Sequence, residues 1–183
     1  KPDPNQIYDI PKPKNAPSKG SPEAKVVIQE FSDFQCPYCG GVAPLMAQVM
    51  KEYGDKVQII WRNYPLSFHK NASPAAQAAL EVFEQTGNKG FWAYHDLLFA
   101  NQQALSRADL EKYAAQIGGI DMKAFRAALD SEKHKATVDA DKAAIEEAGA
   151  QIGTPSFFFN GKLMQGAQRY AAFKFMIDRE LNE

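Results

Sequence analysis

Apolar residues follow two rhythms along this chain, and the rhythm changes twice. Val26-Val27-Ile28-Gln29-Glu30-Phe31 is a short β-branched run bounded by turn residues, the pattern of a buried strand. A helix follows almost at once. Pro37 suits a first helical position, and Val42, Leu45, Met46, Val49, Met50 and Tyr53 recur at spacings of three and four until Gly54. Pro44 inside that pattern predicts a kink. Val57-Gln58-Ile59-Ile60-Trp61-Arg62 reads as a second strand, so the opening is strand, helix, strand, the start of a parallel unit.

From Ser73 to Gly149 the strand pattern gives way to helix starts and stops. Ser73 with Pro74 is expected to cap a helix running to Gly87. Ser106 with Asp109 resembles a capping box for Leu110, Tyr113, Ala114 and Ile117, ended by Gly118-Gly119. Asp121 can cap a segment holding Phe125 and Leu129, and the alanine-rich stretch from His134 to Gly149 reads as one more helix. Four or five helices are expected in this block. Strand patterning returns at Ser156-Phe157-Phe158-Phe159 and Lys162-Leu163-Met164, joined by Asn160-Gly161, a strong short hairpin signature. A last helix carries Phe173, Met176, Ile177 and Leu181.

Composition adds an arm in front of this order. Six of the 11 prolines fall within the first 22 residues, among Lys12, Lys14, Lys19 and Gly20, which describes an extended arm over residues 1–23. Within it only Ile7-Tyr8-Asp9-Ile10 is expected to pair as a short strand, and the compact domain is expected to begin near Ala24. With 183 residues, 45% hydrophobic and 23% charged, the chain can bury a core without covalent staples. Lys+Arg of 21 against Asp+Glu of 22 offers no field for nucleic acid or anionic lipid. No apolar run approaches the roughly 18 residues of a membrane helix. The Lys1-Pro2-Asp3-Pro4 start reads as a trimmed chain, the product of signal removal or of design.

Cys36 and Cys39, in Phe34-Gln35-Cys36-Pro37-Tyr38-Cys39-Gly40, are the two cysteines of the chain, so they pair with each other or act alone. At a strand-to-helix junction they can close a small disulfide while Cys36 stays at the helix N-terminus. Unpaired N–H groups and the helix dipole there favour a thiolate, lowering a cysteine pKa from about 8.5 into a range of roughly 3.5 to 7.5. Cys36 is then the nucleophile, and Cys39, one turn inside the helix, is the shielded resolving thiol. Three plainer readings compete. A structural disulfide across two residues would constrain the unfolded chain very little. A zinc site needs about four ligands, and His69, His95 and His134 do not stand at ligand spacing from the pair, so no metal is called for. Coincidence is the third, since Cys-x-x-Cys is common; its place between a strand and a helix favours redox chemistry.

Phe31-Ser32-Asp33-Phe34-Gln35-Cys36-Pro37-Tyr38-Cys39, Pro44 eight residues after the first cysteine, and Gly153-Thr154-Pro155 before the late hairpin together resemble the thioredoxin fold. More narrowly the chain resembles the DsbA-like thiol-disulfide oxidoreductases over nearly everything from Ala24 onward. Cys-Pro-Tyr-Cys alone is also similar to the glutaredoxin motif, but glutaredoxins are much shorter and lack a helical insertion. The resemblance implies an α/β fold: a thioredoxin-like domain from residues 24–72 and 150–183, interrupted by a helical insertion over 73–149. It implies that Thr154-Pro155 is a cis-proline loop facing the sulfurs and pairing with an extended substrate, and that Glu30 is a buried acid with a raised pKa serving Cys39. A strand-end glutamate reaching solvent is the competing reading of Glu30.

Phe34 and Tyr38, flanking the cysteines, are expected to form an apolar rim for substrate. His69 is read as a cap or surface group, and His95 as packed within the insertion. The strong oxidants of this family carry Pro-His between the cysteines; Tyr38 supplies no imidazolium, which predicts a potential between those of strong oxidants and thioredoxin-like reductants. The expected activity is dithiol oxidation of exported proteins in the periplasm or another extracytoplasmic space. No cofactor is expected; a quinone-coupled membrane partner or a reductase would recycle the pair. The alternatives are a disulfide reductase or isomerase of the same fold, or a redox-silent peptide-binding module or chaperone.

Overall fold

In the computed structural model, which describes residues 3–183, Val26–Ser32 (β2) and Val57–Asn63 (β3) form the parallel centre of one sheet. Lys1 and Pro2 of the expected arm lie outside the described residues. The helix Pro37–Tyr53 (α1) joins the two strands, running through Pro44, and a single 3-10 turn at Gly54–Lys56 leads into β3. Ser156–Phe159 (β4) pairs antiparallel with β2, with Glu30 opposite Phe157, and Lys162–Gln165 (β5) pairs with β4. Asn160 (φ 49°) and Gly161 (φ 88°) turn this hairpin with the paired positive φ angles that an Asn-Gly turn supplies. A side chain at Gly161 would strike the backbone of Tyr8, whose N–H donates to the Gly161 carbonyl at 2.8 Å.

The arm does supply a strand, but at Ser18–Gly20 (β1), which adds antiparallel to the free edge of β3, so the sheet order is β1-β3-β2-β4-β5. The expected pairing at Ile7–Ile10 does not form. Pro11 and Pro13 follow it and bring no N–H to a ladder, and the segment is fixed by the Tyr8 bond and by burial of Ile10.

Four helices, Ala72–Ala100 (α2), Arg107–Ile117 (α3), Met122–Asp130 (α4) and Lys135–Glu147 (α5), lie between β3 and β4, and Tyr170–Leu181 (α6) closes the chain. Gly87 breaks α2 where its glycine was expected to end a helix. The capping box of Ser106 and Asp109 and the Asp121 cap form as the sequence predicts. Ser73 is not the start of α2; Asn71 holds the cap position, and the Ser73 hydroxyl instead accepts from Gln77 one turn on.

Strand alternation sorts the side chains of β2 onto two faces. Val26 and Ile28 pack with Val42, Met46 and Val49 of α1 and with Phe173 and Ile177 of α6, so Glu30 and Ser32, in the same phase, lie on the α1 face. Phe31 and Phe158 look the other way, onto Ile145 of α5 and Ile10 of the arm. The helical block has its own core of Phe91, Leu98, Leu110 and Phe125, which reaches the sheet through Trp61 and Phe34.

A buried polar latch joins arm, sheet and insertion. Arg62 Nε donates to Asp141 Oδ1 at 2.7 Å, and the Asn63 backbone N–H and Nδ2 both donate to Asp141 Oδ2 at 2.9 Å. Gln29 accepts from Arg62 and donates to the Ile10 carbonyl. Because both charged groups are buried, removing one leaves the other unpaired away from water. Asp141→Ala should therefore lose about 3–5 kcal/mol in urea unfolding; a loss below about 1 kcal/mol, the scale of an exposed ion pair, would show that the latch does not hold the insertion to the sheet.

Candidate active site

The polypeptide leaves β2 at Ser32 and takes four residues to turn into α1, and the side chain of Asp33 shapes that turn. Its buried carboxylate accepts from the Gln35 N–H at 2.7 Å, from the Leu66 N–H at 2.9 Å and lies 2.7 Å from His69 Nδ1. Gln35 accepts in turn from the Asn71 N–H. Gln102, reaching in from the end of α2, donates to the carbonyls of Phe34 and Cys36 at 2.9 and 2.8 Å. It lies so close to α1 that a Cβ at Gly40 would stand 2.6 Å from its side-chain oxygen, so the glycine after the second cysteine makes room for this strut.

The result places Cys36 as the N-cap residue of α1, in extended backbone, with Pro37 opening the helix. Both cysteines are free thiols, Cys36 4% exposed and Cys39 fully buried. The Cys36 Sγ lies 3.7 Å from the Thr154 carbonyl oxygen. The Cys36 thiol is pulled down to about 5, mainly by a hydrogen bond from the Cys39 thiol, against the opposing cost of burial, with further help from the Thr154 side chain and the N–H groups of Cys39 and Tyr38. Cys39 is pushed the other way: burial and its role as donor to Cys36 raise it, while the Ser32 hydroxyl and the Asp33 N–H oppose that rise. One sulfur is built to be an anion and its neighbour to hold a proton.

Thr154-Pro155 is a cis peptide bond, and this loop is the one that meets Cys36. Glu30 is buried, not solvent-reaching; burial raises its carboxyl to about 7, with the charge of Lys19 opposing. It shares the α1 face of β2 with Ser32.

Tyr38 is 68% exposed beside the pair, but Phe34 is not on the rim. It is buried and stacked on Trp61 at 4.7 Å, because the turn held by Asp33 and Gln102 carries it inward to the core of the insertion. The exposed aromatic that sequence reasoning missed is Phe68, 76% exposed, edge-on to the His69 ring at 4.5 Å. The loop that carries it is tied to the active-site turn through the Asp33 contacts to Leu66 and His69. His69 is therefore a partner of a buried acid and not a cap or free surface group; an aspartate two residues before an N–H it can reach, here Gln35, was the available sequence sign.

His95 is packed within the insertion as expected, edge-on to Trp61, Trp92 and Phe99. Glu81, Glu84 and His134 cluster within metal-ligating reach of one another. The ammonium of Lys133 stands on both carboxylates, and His134 Nε2 lies 2.8 Å from Glu81, so the cluster's polar atoms are partnered by neighbouring side chains.

The family model described as Thioredoxin matches residues 12–179. Among solved structures the chain is similar to oxidised BdbD from Bacillus subtilis, with 26% identity, a TM-score of 0.85, and 97% of this chain and 98% of that chain covered. The catalytic domain of Proteus mirabilis ScsC is 28% identical with a TM-score of 0.72, covering 92% and 90%. The thiol-disulfide exchange protein alpha-DsbA2 from Wolbachia pipientis shares the fold at 21% identity and a TM-score of 0.78, covering 90% and 86%. A curated relative, Na(+)/H(+) antiporter NhaA 3 of Salinispora tropica, is 36% identical over 149 residues, 81% of this chain. The chain spans 22% of that relative's length.

Two titrations test these environments. The thiolate absorbance of the dithiol protein should rise with a midpoint near 5 and disappear in Cys36→Ser; a midpoint at the ordinary value of about 8.5 would mean that Cys36 is not stabilised as an anion. For Glu30, the unfolded chain releases the proton near 4.5 and the folded chain near 7. Between those values the folded state holds a proton that the unfolded state lacks, so stability falls as pH rises through the window, by about 3 kcal/mol in all. In the oxidised protein, where neither sulfur titrates, the stability of Glu30→Gln relative to the parent should grow by that amount from about pH 4 to about pH 8. A pH-independent difference in urea unfolding would place Glu30 in contact with water.

Proposed function

We propose, from the premise that this chain belongs to the thioredoxin family and is a DsbA-like thiol-disulfide oxidoreductase, that it works as a dithiol oxidase on exported proteins outside the cytoplasm. The observation that carries this reading is the opposite displacement of the two cysteine pKa values, Cys36 down to about 5 and Cys39 up. A stable Cys36 thiolate favours the dithiol form of the protein, and whatever favours the dithiol makes the disulfide a stronger oxidant.

In the oxidised protein a substrate thiolate attacks Cys36 Sγ, the more accessible sulfur. The bond between Cys36 and Cys39 breaks and its electron pair leaves on Cys39 Sγ. A second substrate thiolate then attacks the substrate sulfur of the mixed disulfide and expels Cys36 as the thiolate it prefers to be. The substrate has lost two electrons and the protein pair has gained them. Glu30, titrating near neutrality on the α1 face of β2, supplies the proton that Cys39 takes up. Thr154 and Pro155 present backbone groups to an extended substrate beside the sulfurs. Tyr38 and Phe68 offer exposed aromatic surface on which an unfolded or partly folded chain docks. Disulfide formation persists in oxidising compartments, which supports the periplasm or an equivalent space as the place of action. Turnover then requires a partner that removes electrons from the dithiol, and a quinone-coupled membrane protein fits that need.

The strength of the oxidant follows from the size of the shift. A first-cysteine pKa of about 5 lies between the values of about 3.5 in a strong oxidant and about 7 in thioredoxin. The reduction potential against graded glutathione buffers should accordingly fall between about −120 and about −270 mV. A value at or below the thioredoxin end would defeat the oxidase reading in favour of a reductant. Cys39→Ser should accumulate mixed disulfides through Cys36 with thiol-bearing substrates, and Cys36→Ser should accumulate none.

A further inference from the structure

Among the described residues, six buried side-chain polar atoms have no hydrogen-bond partner. Two of them belong to residues at the cysteine pair, Ser32 and Thr154. A buried hydroxyl without a partner costs about 1–3 kcal/mol, so its retention calls for a state in which the partner exists. Thr154 sits against Cys36, the sulfur that is already anionic in the dithiol. Ser32 sits against Cys39, which is protonated in the dithiol and becomes an anion only while the disulfide is being broken or formed.

We propose that Ser32 is a catalytic hydrogen-bond donor to Cys39, giving its hydroxyl hydrogen to the thiolate that appears as the Cys36–Cys39 bond breaks. Three features of the fold lead to this. Cys39 is fully buried, so water does not stabilise the charge that lands on it. Ser32 has the phase of Ile28 on β2, whose side chain packs against α1, and it is the last residue of that strand, 2% exposed and on the helix's side of the sheet. The charge of Arg62 is committed elsewhere, to Asp141 and Gln29, at the latch between β3 and α5. The hydrogen bonds that favour the ionised form of Cys39 come from the Ser32 hydroxyl and the Asp33 N–H, distinct from the proton that Glu30 hands over. The second is a fixed backbone group; the first turns about a single bond and can serve the thiolate without disturbing the dithiol.

The step balances without any added reagent. A thiolate attacks Cys36 Sγ and forms one S–S bond, the Cys36–Cys39 bond breaks, and the electron pair moves to Cys39 Sγ, to which the Ser32 O–H then donates. Ser32 keeps its proton throughout. When the second substrate thiol completes the exchange, two protons have left the substrate; one rests on Cys39 and the other goes to solvent, because Cys36 stays a thiolate. By microscopic reversibility the same donor assists Cys39 when it attacks, so the role rests on thiol-disulfide exchange at this pair and not on its direction. Because Ser32 serves a transient anion, it alters the rate and leaves the equilibrium between dithiol and disulfide in place.

The test mixes oxidised protein with reduced glutathione, stops the reaction with acid and counts protein disulfide, mixed disulfide and dithiol by mass. Ser32→Ala should slow loss of the Cys36–Cys39 bond about tenfold, the effect of one hydrogen bond to a charged group. Ser32→Thr, which keeps the hydroxyl, should stay within about threefold of the parent, and Ser32→Gly should reproduce the slowing if the alanine variant folds poorly. The glutathione equilibrium constant of Ser32→Ala should stay within about twofold of the parent, and its dithiol form should melt no lower, since it sheds an unsatisfied hydroxyl. An alanine variant as fast as the parent overturns the proposal, as does an equilibrium constant that moves by the same factor as the rate. A parent protein that exchanges nothing with glutathione would instead overturn the oxidoreductase reading itself.

Discussion

A thiol-disulfide exchanger with a buried cysteine pair must decide which sulfur carries charge, since two thiolates a helical turn apart repel and two thiols attack nothing. Here the decision is made by depth along one helix. Cys36 stands at the cap of α1, where the N–H groups of Tyr38 and Cys39 favour its ionised sulfur, and Cys39 lies inside the first turn, where its thiol serves Cys36. The hydrogen between the two sulfurs lowers one pKa and raises the other, so the asymmetry belongs to the pair rather than to either residue. Everything around the pair serves to keep that depth difference fixed.

The support is polar and comes from every part of the chain. Asp33 sets the turn that delivers Cys36 to the cap, and its carboxylate draws the loop of Leu66 and His69 against that turn. Gln102 braces the same turn from the insertion, which is possible because Gly40 leaves its flank of α1 bare. The insertion in turn is tied to the sheet by Asp141, and the arm by Gln29 and β1. A helical block inserted into a sheet domain could move against it; these bonds make the insertion part of the site's frame. They also explain why Phe68 is exposed at the site's edge while Phe34 is not: the loop is held from its backbone, which frees its aromatic side chain, whereas the turn buries its own.

The strands, the helices and the cysteine pair were legible because each leaves a local trace: a β-branched run, a three-and-four spacing, a cap residue, an Asn-Gly turn. What was not legible depended on partners distant in sequence. Apolar and aromatic residues make Ile7–Ile10 look more like a strand than Ser18–Gly20; the free edge of β3 selects the latter, a partner that the arm itself does not reveal. Glu30 read equally well as solvent-reaching or buried, since strand phase gives a face but not what covers it. Phe34 looked like surface because it neighbours a reactive residue, and only the stack on Trp61 shows otherwise. Gln102 gave no sign of its role, and for His69 the sign lay only in the distant Asp33; both roles exist only where two or three segments meet.

The leading influences on Cys36 are neutral groups, N–H dipoles, a thiol and a hydroxyl, and this bears on how a Pro-Tyr pair can sustain a lowered pKa. An imidazolium in the place of Tyr38 would add an attraction that acts through partly exposed space and weakens as salt screens it. Hydrogen bonds to the sulfur of a buried residue are screened far less, and their strength rests on geometry. The anion is therefore held by the fold more than by the field, which makes the turn at Asp33 and the loop at Thr154 the elements on which the chemistry depends. Tyr38 is thereby released from electrostatic duty. Its exposed ring can serve contact with a substrate, so the dipeptide between the cysteines gives up part of the oxidising strength that a charge would bring and gains apolar surface beside the reacting sulfur.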